Sequence, residues 1–173
     1  ILVCLVGSEM CIRDSYHTVR INPIRVSADE FSYPIHVFIR YQIEKEIFKN
    51  KIKFKDIKDL WNKKYLDHLE IDLISDSEGV LQDIHWYEGI FGYFPTYALG
   101  AMIASQIKYN CPLFDIFLKN PDEENIKQLV IWLNNNIHQK ASLYSSDEML
   151  QSISGEKLNS KYYLEHLVSR FVK

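Results

Sequence analysis

The 173-residue sequence predicts an all-α fold, and three observations support that prediction. Apolar residues recur at three- and four-residue spacing in nearly every segment, which places them on one face of a helix. Helix-capping patterns and prolines stand where several of these segments begin. No stretch of useful length alternates apolar and polar residues as a half-buried strand does.

The first predicted helix covers residues 27–50. Ser27 and Glu30 have the spacing of a capping box, in which two side chains satisfy the free N–H groups at a helix start. Pro34 is expected to interrupt or kink the first turns, because a proline nitrogen cannot donate a hydrogen bond. An apolar residue then falls at every fourth position, at Phe31, Ile35, Ile39, Ile43 and Ile47.

A second helix is predicted from Asp56, its N-cap, to Glu70. Its buried stripe is expected to consist of Ile57, Leu60, Trp61, Tyr65 and Leu69. A polar loop follows, and then a glycine-bearing aromatic loop that ends at Pro95, which suits a helix start. Small residues along the third helix should let another helix approach closely: Ala98, Gly100, Ala101, Ala104 and Ser105.

Three more helices are predicted in the remainder of the chain. One has Asn120 as N-cap and Pro121 in its first turn, and its inward stripe is Ile126, Leu129, Val130, Leu133 and Ile137. The next begins with a capping box of Ser145 and Glu148 and ends at Gly155. The last is expected to bury Leu164, Leu167, Val168 and Phe171.

Composition and charge argue against several classes of function. The net charge of −3 leaves no basic field that would suit nucleic acid, and no apolar run reaches the ~20 residues of a membrane span. The three cysteines form no C-x-x-C motif, so we expect no disulfide framework and a reducing, cytoplasmic compartment. Neither nucleic acid nor a membrane is therefore an expected partner.

Residues 1–15 are set apart from the rest of the chain. The string CLVGSEMCIRDS resembles a translated sequencing-adapter read-through, and the segment lacks the basic start of a signal peptide. We interpret residues 1–15 as non-native. Residues 16–173 are then expected to be one helical unit, the C-terminal part of something longer.

Two short stretches concentrate chemically useful side chains. In IRVSADE, Arg25 either pairs with an acid of the adjacent helix start, Asp29 or Glu30, or points into a cleft to receive a carboxylate. In GVLQDIHW, His85 is either a hydrogen-bonded core histidine or a donor to a developing oxyanion. Tyr93 and Tyr97 carry hydroxyls that could donate in the same way, or could simply pack in an aromatic core.

Motifs of several other enzyme classes are absent from the sequence. It has no H-E-x-x-H, no G-x-S-x-G and no phosphate-binding glycine loop, and no two of its six histidines are spaced i, i+4. A complete zinc site from local sequence is therefore not expected. A small independent metal site at His68, Asp83 and His85 is a further alternative, although their spacing matches no known ligand pattern.

The two stretches resemble the I-R-x-x-A-D and G-x-x-Q-D-x-H-W signatures of the thermostable (Taq-type) carboxypeptidase family of zinc metallopeptidases. GIFGYFPTYALG, IKQLVIWLNNNIH and SGEKLNSKYYLEHL are also similar to that family, so the resemblance covers residues 19–173. It implies the C-terminal helical portion of a larger, mostly helical catalytic domain. Such enzymes are generally homodimers that remove amino acids one at a time from peptides with a free C-terminus.

The resemblance also implies where the metal and the substrate bind. The family's zinc ligands precede its I-R-x-x-A-D signature. Zinc is therefore expected in the full-length parent, and no zinc ligand is expected in this chain. The chain alone should be inactive. Arg25 would bind the terminal carboxylate, His85 would polarise the scissile carbonyl or hold the terminal residue, and Tyr97, or else Tyr93, would stabilise the tetrahedral intermediate. The other signature residues would shape and brace the substrate pocket: Asp29, Gln82, Asp83 and Trp86.

A non-catalytic helical interaction module is the alternative to this interpretation. In such a module the polar side chains of the two stretches would form structural networks only. The two possibilities differ in whether an H-E-x-x-H segment lies upstream in the gene.

Overall fold

The structure, a computed structural model, describes residues 17–49, 51–140 and 142–172. Those residues form helices, 3-10 turns and loops without any strand, which confirms the all-α prediction. The segment interpreted as non-native, residues 1–15, lies outside the described residues. The α-helices of the described part are α1 (Tyr33–Phe48), α2 (Ile57–Leu69), α3 (Pro95–Asn110), α4 (Phe114–Lys119), α5 (Glu123–Asn136), α6 (Ser146–Ser154) and α7 (Lys161–Phe171).

The chain divides into two compact units. Unit 1 comprises the described residues up to Ala98 together with those from Leu167 onward, and unit 2 comprises Leu99–His166. Both α3 and α7 therefore begin in one unit and end in the other. Among the helices of the described part, none is long and apolar enough to cross a membrane.

The core of unit 1 forms where α1 packs against α2. Its fully buried members come from both helices: Ile39, Ile43, Ile57, Trp61, Tyr65 and Leu69. The stripe predicted for α2 is thus confirmed, with Leu60 partly buried at its edge. Burial of apolar side chains of this size contributes about 1.5–3 kcal/mol each, so this helix pair is the main source of stability in unit 1.

The start of α1 differs from the prediction. The helix begins at Tyr33, and Arg25–Ser27 instead form a 3-10 turn, so the predicted capping box of Ser27 and Glu30 is wrong. Pro34 lies in the first turn, where backbone N–H groups have no partner within the helix in any case. The proline therefore suits the start of α1 and does not kink it.

The segment between α2 and α3, residues 70–94, contains no regular helix. Glu70 ends α2 in the left-handed conformation, and Gly89 and Gly92 have φ of 70° and 76°, which glycine adopts without strain. The predicted loop is confirmed. Val80 and Trp86 pack from this loop against the core of unit 1, and they hold the GVLQDIHW stretch against the two helices.

Gln106 of α3 is a buried polar centre in unit 2. Its Nε2 donates to the Ser154 hydroxyl at 2.7 Å and to the Lys157 carbonyl at 3.1 Å. Its Oε1 accepts from the Asn159 backbone N–H at 2.9 Å. One side chain thus fixes the turn between α6 and α7.

The ends of α6 agree with the prediction. Ser145 and Glu148 form a complete capping box at its start, with each side chain bonded to the other residue's backbone N–H. Gly155 ends the helix with φ of 75°. Both features depend on residues within a few positions of each other, which is why the sequence predicts them well.

Several predicted details of α3, α5 and α7 are wrong. The N-cap of α5 is Asp122, whose side chain accepts from the Asn125 N–H, and not Asn120. Gly100 shows no close helix approach, since a Cβ built there meets nothing within 4 Å. The predicted apolar faces are only partly buried: Ile126, Val130, Leu164 and Val168 are about half exposed, whereas Leu129 and Leu167 are buried. Periodicity identifies an apolar face but not the element that covers it.

Candidate active site

Two arginines share the carboxylate of Asp83. Arg25, in the turn before α1, donates from Nε and Nη2 to Oδ1, at 2.9 and 2.8 Å. Arg40, in α1, donates from Nε to Oδ2 at 2.6 Å, and its Nη2 lies 2.5 Å from the same oxygen. None of the three side chains is more than 8% exposed. Two buried cations thus face one buried anion, which leaves this group with a net charge of +1.

Gln82 joins the backbone around this group. Its Oε1 accepts from the Arg25 backbone N–H and from Arg40 Nη2, both at 2.8 Å. Its Nε2 donates to the carbonyl oxygens of Pro23, at 3.1 Å, and Glu78, at 2.6 Å. The side chain therefore ties the turn before α1 to the loop 70–94. We call Arg25, Arg40, Gln82 and Asp83 the arginine cluster.

Two titratable side chains lie beside the arginine cluster. The Tyr65 hydroxyl is 3.3 Å from Arg40 Nη1 and 3.0 Å from His36 Nδ1. Burial raises the pKa of Tyr65. Burial, together with the positive charges of Arg40 and Arg25, lowers the pKa of His36 to about 4. At neutral pH both groups are uncharged, so the excess positive charge remains on the arginines.

Arg25 itself stays protonated and positively charged. Burial by itself lowers the pKa of a guanidinium, but the hydrogen bond and the negative charge of Asp83 outweigh it and raise the pKa of Arg25. Its Nη1 donates to the Tyr33 hydroxyl at 2.9 Å. Three of the five guanidinium N–H groups thus have partners within the described chain, and one on each Nη remains for another acceptor.

An aromatic wall connects Arg25 to His85. The Arg25 Cζ lies 5.1 Å from the ring centroid of Tyr97, and the Tyr97 hydroxyl is 3.0 Å from His85 Nε2. The His85 ring packs on Phe94, with centroids 4.4 Å apart, and on Tyr93 at 5.7 Å. The structure therefore brings together Arg25, His85, Tyr93 and Tyr97, which the sequence places up to 72 residues apart.

The buried Nδ1 of His85 has no hydrogen-bond partner within the described part of the chain. An unpaired buried donor costs more than an unpaired acceptor, which favours the tautomer with the proton on Nε2. In that tautomer Nε2–H donates to the Tyr97 oxygen. The Tyr97 hydroxyl hydrogen is then available to a further acceptor.

Asp29 and Trp86 lie at the edges of this site. Asp29 accepts from three backbone N–H groups at 2.9 Å, those of Arg20, Phe31 and Ser32, and so organises the start of α1. Trp86 donates from Nε1 to Glu44 at 2.8 Å. Its ring contributes to a largely apolar cavity of about 360 Å³, shared with Ile47, Phe54, Lys55, Ile57, Lys58, Val80, Tyr87 and Phe91.

Sequence reasoning missed three residues of α1 that support the site. His36, Arg40 and Glu44 are all buried, and they lie four residues apart on one side of the helix. Glu44 accepts from Trp86 Nε1 and, at 3.1 Å, from the Gly92 backbone N–H. The signal that could have identified them is this spacing of polar residues directly beside the apolar positions Ile39 and Ile43.

The described residues do not fit a metal ion. Across residues 17–49, 51–140 and 142–172, no three His, Cys, Asp or Glu side chains are arranged to hold one. His68 packs against Phe38, and both oxygens of Asp83 accept from arginines. The alternative of a metal site at His68, Asp83 and His85 is therefore wrong.

A known protein family matches almost the whole chain. The family described as "Carboxypeptidase Taq (M32) metallopeptidase" matches residues 8–171 of this chain. The chain belongs to that family. The predicted resemblance to the carboxypeptidase Taq family is thus confirmed. Because the match begins at residue 8, it does not test the interpretation of residues 1–15.

The chain matches only part of the length of each relative. "Carboxypeptidase 1" of Bacillus subtilis is 43% identical over 152 residues, which are 86% of this chain and 30% of that protein. "Thermostable carboxypeptidase 1" of Pyrococcus furiosus is 32% identical over 91% of this chain and 32% of its own length. The chain therefore spans about a third of the length of these relatives.

The fold also matches solved structures of the family. "Trypanosoma Cruzi Metallocarboxypeptidase 1" superposes with a TM-score of 0.86 at 34% identity, covering 96% of this chain and 35% of that one. "M32 carboxypeptidase from Deinococcus radiodurans R1" gives a TM-score of 0.82 at 28% identity, covering 95% and 34%. The chain thus has the fold of about one third of an M32 carboxypeptidase.

Proposed function

We propose that this chain is the C-terminal, substrate-binding portion of a metal-dependent carboxypeptidase that releases C-terminal amino acids from peptides. The observation that carries the proposal is the arginine cluster, with its net charge of +1 and two Arg25 N–H groups that have no partner in the described chain. Arg25 lies against the Tyr97 ring, and the Tyr97 hydroxyl contacts His85. Family membership supports the reaction class.

Arg25 is proposed to anchor the terminal carboxylate of the peptide. An exopeptidase must distinguish a chain end from an internal peptide bond, and the carboxylate is the group that marks that end. The uncommitted N–H groups lie one on each Nη nitrogen, and a guanidinium can bind a carboxylate through two parallel hydrogen bonds. Such charge-assisted bonds contribute about 1.5–3 kcal/mol each, enough to favour an acid over its amide.

His85 and Tyr97 are proposed to act on the scissile carbonyl. Donation from His85 Nε2 to the Tyr97 oxygen leaves the Tyr97 hydroxyl hydrogen directed toward a developing oxyanion. Tyr93, half-exposed and packed edge-on against Tyr97, is the second candidate for that donor. Gln82, Asp83, Trp86 and Asp29 are proposed to shape the pocket through the hydrogen bonds they make.

The metal and its ligands are proposed to come from outside this chain. The resemblance to the family implies zinc or another divalent metal in the parent enzyme, whereas the described residues offer no site for it and the sequence has no H-E-x-x-H. We therefore expect the pure 173-residue chain to release no amino acids from peptides when zinc or cobalt is added. Measurable release would overturn this part of the proposal.

Carboxylate binding can be tested on this chain without catalysis. N-acetyl-phenylalanine, titrated into the ¹⁵N-labelled protein, should shift Arg25 and Tyr97 signals, and N-acetyl-phenylalaninamide should bind about tenfold more weakly or not at all. Arg25→Gln should abolish the preference for the acid, and Arg20→Gln, at an exposed position of the same segment, should keep it. Equal binding of acid and amide by the unchanged protein would refute the anchor.

Assembly and compartment are proposed on separate grounds. We propose a homodimer, because the resembled family generally forms one, and a cytoplasmic location, because the sequence has few cysteines and no C-x-x-C motif. Light scattering on the full-length parent and fractionation of the native cell would test the two statements separately.

A further inference from the structure

We infer that Arg40 is a positioning residue for carboxylate binding. It holds Oδ2 of Asp83 and Oε1 of Gln82, and in this way it orients the Arg25 guanidinium and leaves one positive charge of the arginine cluster unneutralised. This inference rests on the proposed anchor role of Arg25. Arg40 belongs to neither of the two signature stretches.

The two arginines contact different oxygens of Asp83. Arg25 contacts one carboxylate oxygen of Asp83, with both Nε and Nη2 directed at Oδ1, and Arg40 occupies the other oxygen. Without Arg40, the Asp83 carboxylate loses the partner that fixes its plane, and the direction of the two remaining Arg25 N–H groups is no longer set. Those two groups, one on each Nη, are the ones that a substrate carboxylate needs.

Arg40 also supplies the positive charge that Asp83 does not neutralise. A pair of Arg25 and Asp83 is neutral overall, so an incoming carboxylate would meet a buried acid with little net attraction. Arg40 adds the second positive charge inside the same buried group, which makes the whole +1. The binding of one carboxylate then brings the cluster to neutrality.

Arg40 itself cannot contact the ligand, because it is fully buried and its donors are occupied. Arg40 is fully buried, and its guanidinium contacts Asp83, Gln82, the His36 carbonyl at 2.8 Å and the Tyr65 hydroxyl. These contacts occupy the five N–H donors of the side chain. Arg40 can therefore influence the substrate only through Asp83, Gln82 and Arg25.

A lysine cannot replace this arrangement. The Arg40 Cζ lies 4.6 Å from the ring centroid of Trp61, so the planar group is stacked while its edges bond in several directions. An ammonium group has three donors and no plane to stack. Arg40→Lys should keep the charge but lose the bond to Gln82 or the one to Asp83.

The test is the ratio of acid to amide affinity, measured by the same NMR titration on the 173-residue chain. Arg40→Gln should lower the affinity for N-acetyl-phenylalanine about tenfold, with the affinity for the amide unchanged. The double variant Arg40→Gln with Asp83→Asn should regain most of the lost affinity, because Arg25 is no longer neutralised. Arg20→Gln, which removes a positive charge at an exposed position of unit 1, is the matched control and should keep the ratio.

The outcomes separate this inference from the proposed function. If the unchanged protein prefers the acid and Arg40→Gln keeps that preference, the inference is overturned and the anchor role of Arg25 stands. If the double variant binds no better than Arg40→Gln, Arg40 acts only on the fold, and the inference is likewise overturned. If the unchanged protein shows no preference, the proposed function and the inference fail together.

A measurement on the unchanged protein covers the case in which the Arg40 variants do not fold. Guanidinium NMR should show separate, slowly exchanging Nη signals for Arg40 with and without N-acetyl-phenylalanine, and signals of Arg25 that move on titration. Averaged, rapidly exchanging Nη signals of Arg40 would contradict a rigid positioning role. So would large shifts of Arg40 signals without shifts at Arg25.

Discussion

Glu44 is a buried carboxylate in α1 whose partners are N–H groups of the loop 70–94. Its two oxygens accept from Trp86 Nε1 at 2.8 Å and from the Gly92 backbone N–H at 3.1 Å. Trp86 directly follows His85, so this contact fixes the stretch that carries the candidate catalytic histidine. Single residues of α1 thus position the loop, although they lie about 40 residues from it in sequence.

Glu44→Ala should destabilise unit 1 by about 1–3 kcal/mol, because it removes the buried carboxylate that accepts from the Trp86 and Gly92 N–H groups. Urea unfolding followed by the fluorescence of Trp61 and Trp86 measures this loss. Glu46→Ala is the control on the same helix, since its carboxylate pairs with Lys51 at 3.7 Å near the surface, and it should change stability by less than about 0.5 kcal/mol. Equal losses in the two variants would contradict the role given to Glu44.

His36 should make the stability of unit 1 depend on pH. Its pKa is about 4 in the folded chain and near 6.5 when unfolded, so between these values the unfolded state binds a proton that the folded state does not. The contribution of neutral His36 is complete above pH 6.5 and is lost as the pH falls toward 4. The loss is about 3 kcal/mol, at 1.36 kcal/mol per pH unit.

The comparison of His36→Gln with the unchanged protein isolates this contribution. The free energy of unfolding, measured at pH 7 and pH 4.5, should fall less in His36→Gln, which has no imidazole to protonate. His138→Gln, at an exposed position of unit 2, should keep the pH dependence of the unchanged protein. Parallel pH profiles for His36→Gln and the unchanged protein would show that this histidine is not the source.

Helix ends are elements that the sequence controls locally. The capping box of α6 and the left-handed Gly155 that ends it satisfy backbone groups within a few residues. At the start of α1 the partners are equally local, since Asp29 accepts from the Phe31 and Ser32 N–H groups, but Ser27 and Asp29 are both candidates for the position. A cap is therefore predictable when its partners are close in sequence and when only one candidate residue competes for the position.

Two glycines should respond oppositely to alanine. Gly155→Ala should destabilise unit 2 by about 1 kcal/mol, because φ of 75° strains any residue with a Cβ. Gly100→Ala, in the middle of α3 with open space around its Cα, should stabilise by up to about 1 kcal/mol. Chemical unfolding followed by Trp132 fluorescence measures both variants, and a change of the same sign in both would refute this account.

Unit 1 is assembled from two distant parts of the chain. The end of α7 returns to the turn before α1, where Phe171 packs edge-on against Phe31 with centroids 5.7 Å apart and Arg170 pairs with Glu30. Residues near the two ends of the described chain thus close the same unit. The arginine cluster lies in this unit, beside the segment that the end of α7 covers.

Phe171→Ala should lower the stability of unit 1 by about 1–2 kcal/mol through lost apolar burial and the lost ring pair. The Trp61 and Trp86 signals should report an earlier unfolding transition. Val172→Ala, at the next and mostly exposed position, serves as the control and should have little effect. An unchanged transition in Phe171→Ala would show that the end of α7 does not hold unit 1 together.

The sequence by itself determined the helical class, the α1–α2 core stripe, the loop before Pro95, the ends of α6 and the two signature stretches. Each of these depends on the order of residues within one or two helical turns, where period, capping and glycine conformation are local properties. The family was predicted from the resemblance of IRVSADE and GVLQDIHW to its signatures, which needs only the order of residues within each stretch.

The tertiary structure alone decided which partners these residues have. The sequence offered Arg25 an acid of the next helix start or a substrate, and the fold gave it Asp83, 58 residues away. It also buried Arg40 and Glu44 in the α1 face that carries the apolar stripe, and left Val130 and Leu164 exposed. Pairing across such distances depends on how helices and loops pack in space, and periodicity along one helix carries no information about what will cover it.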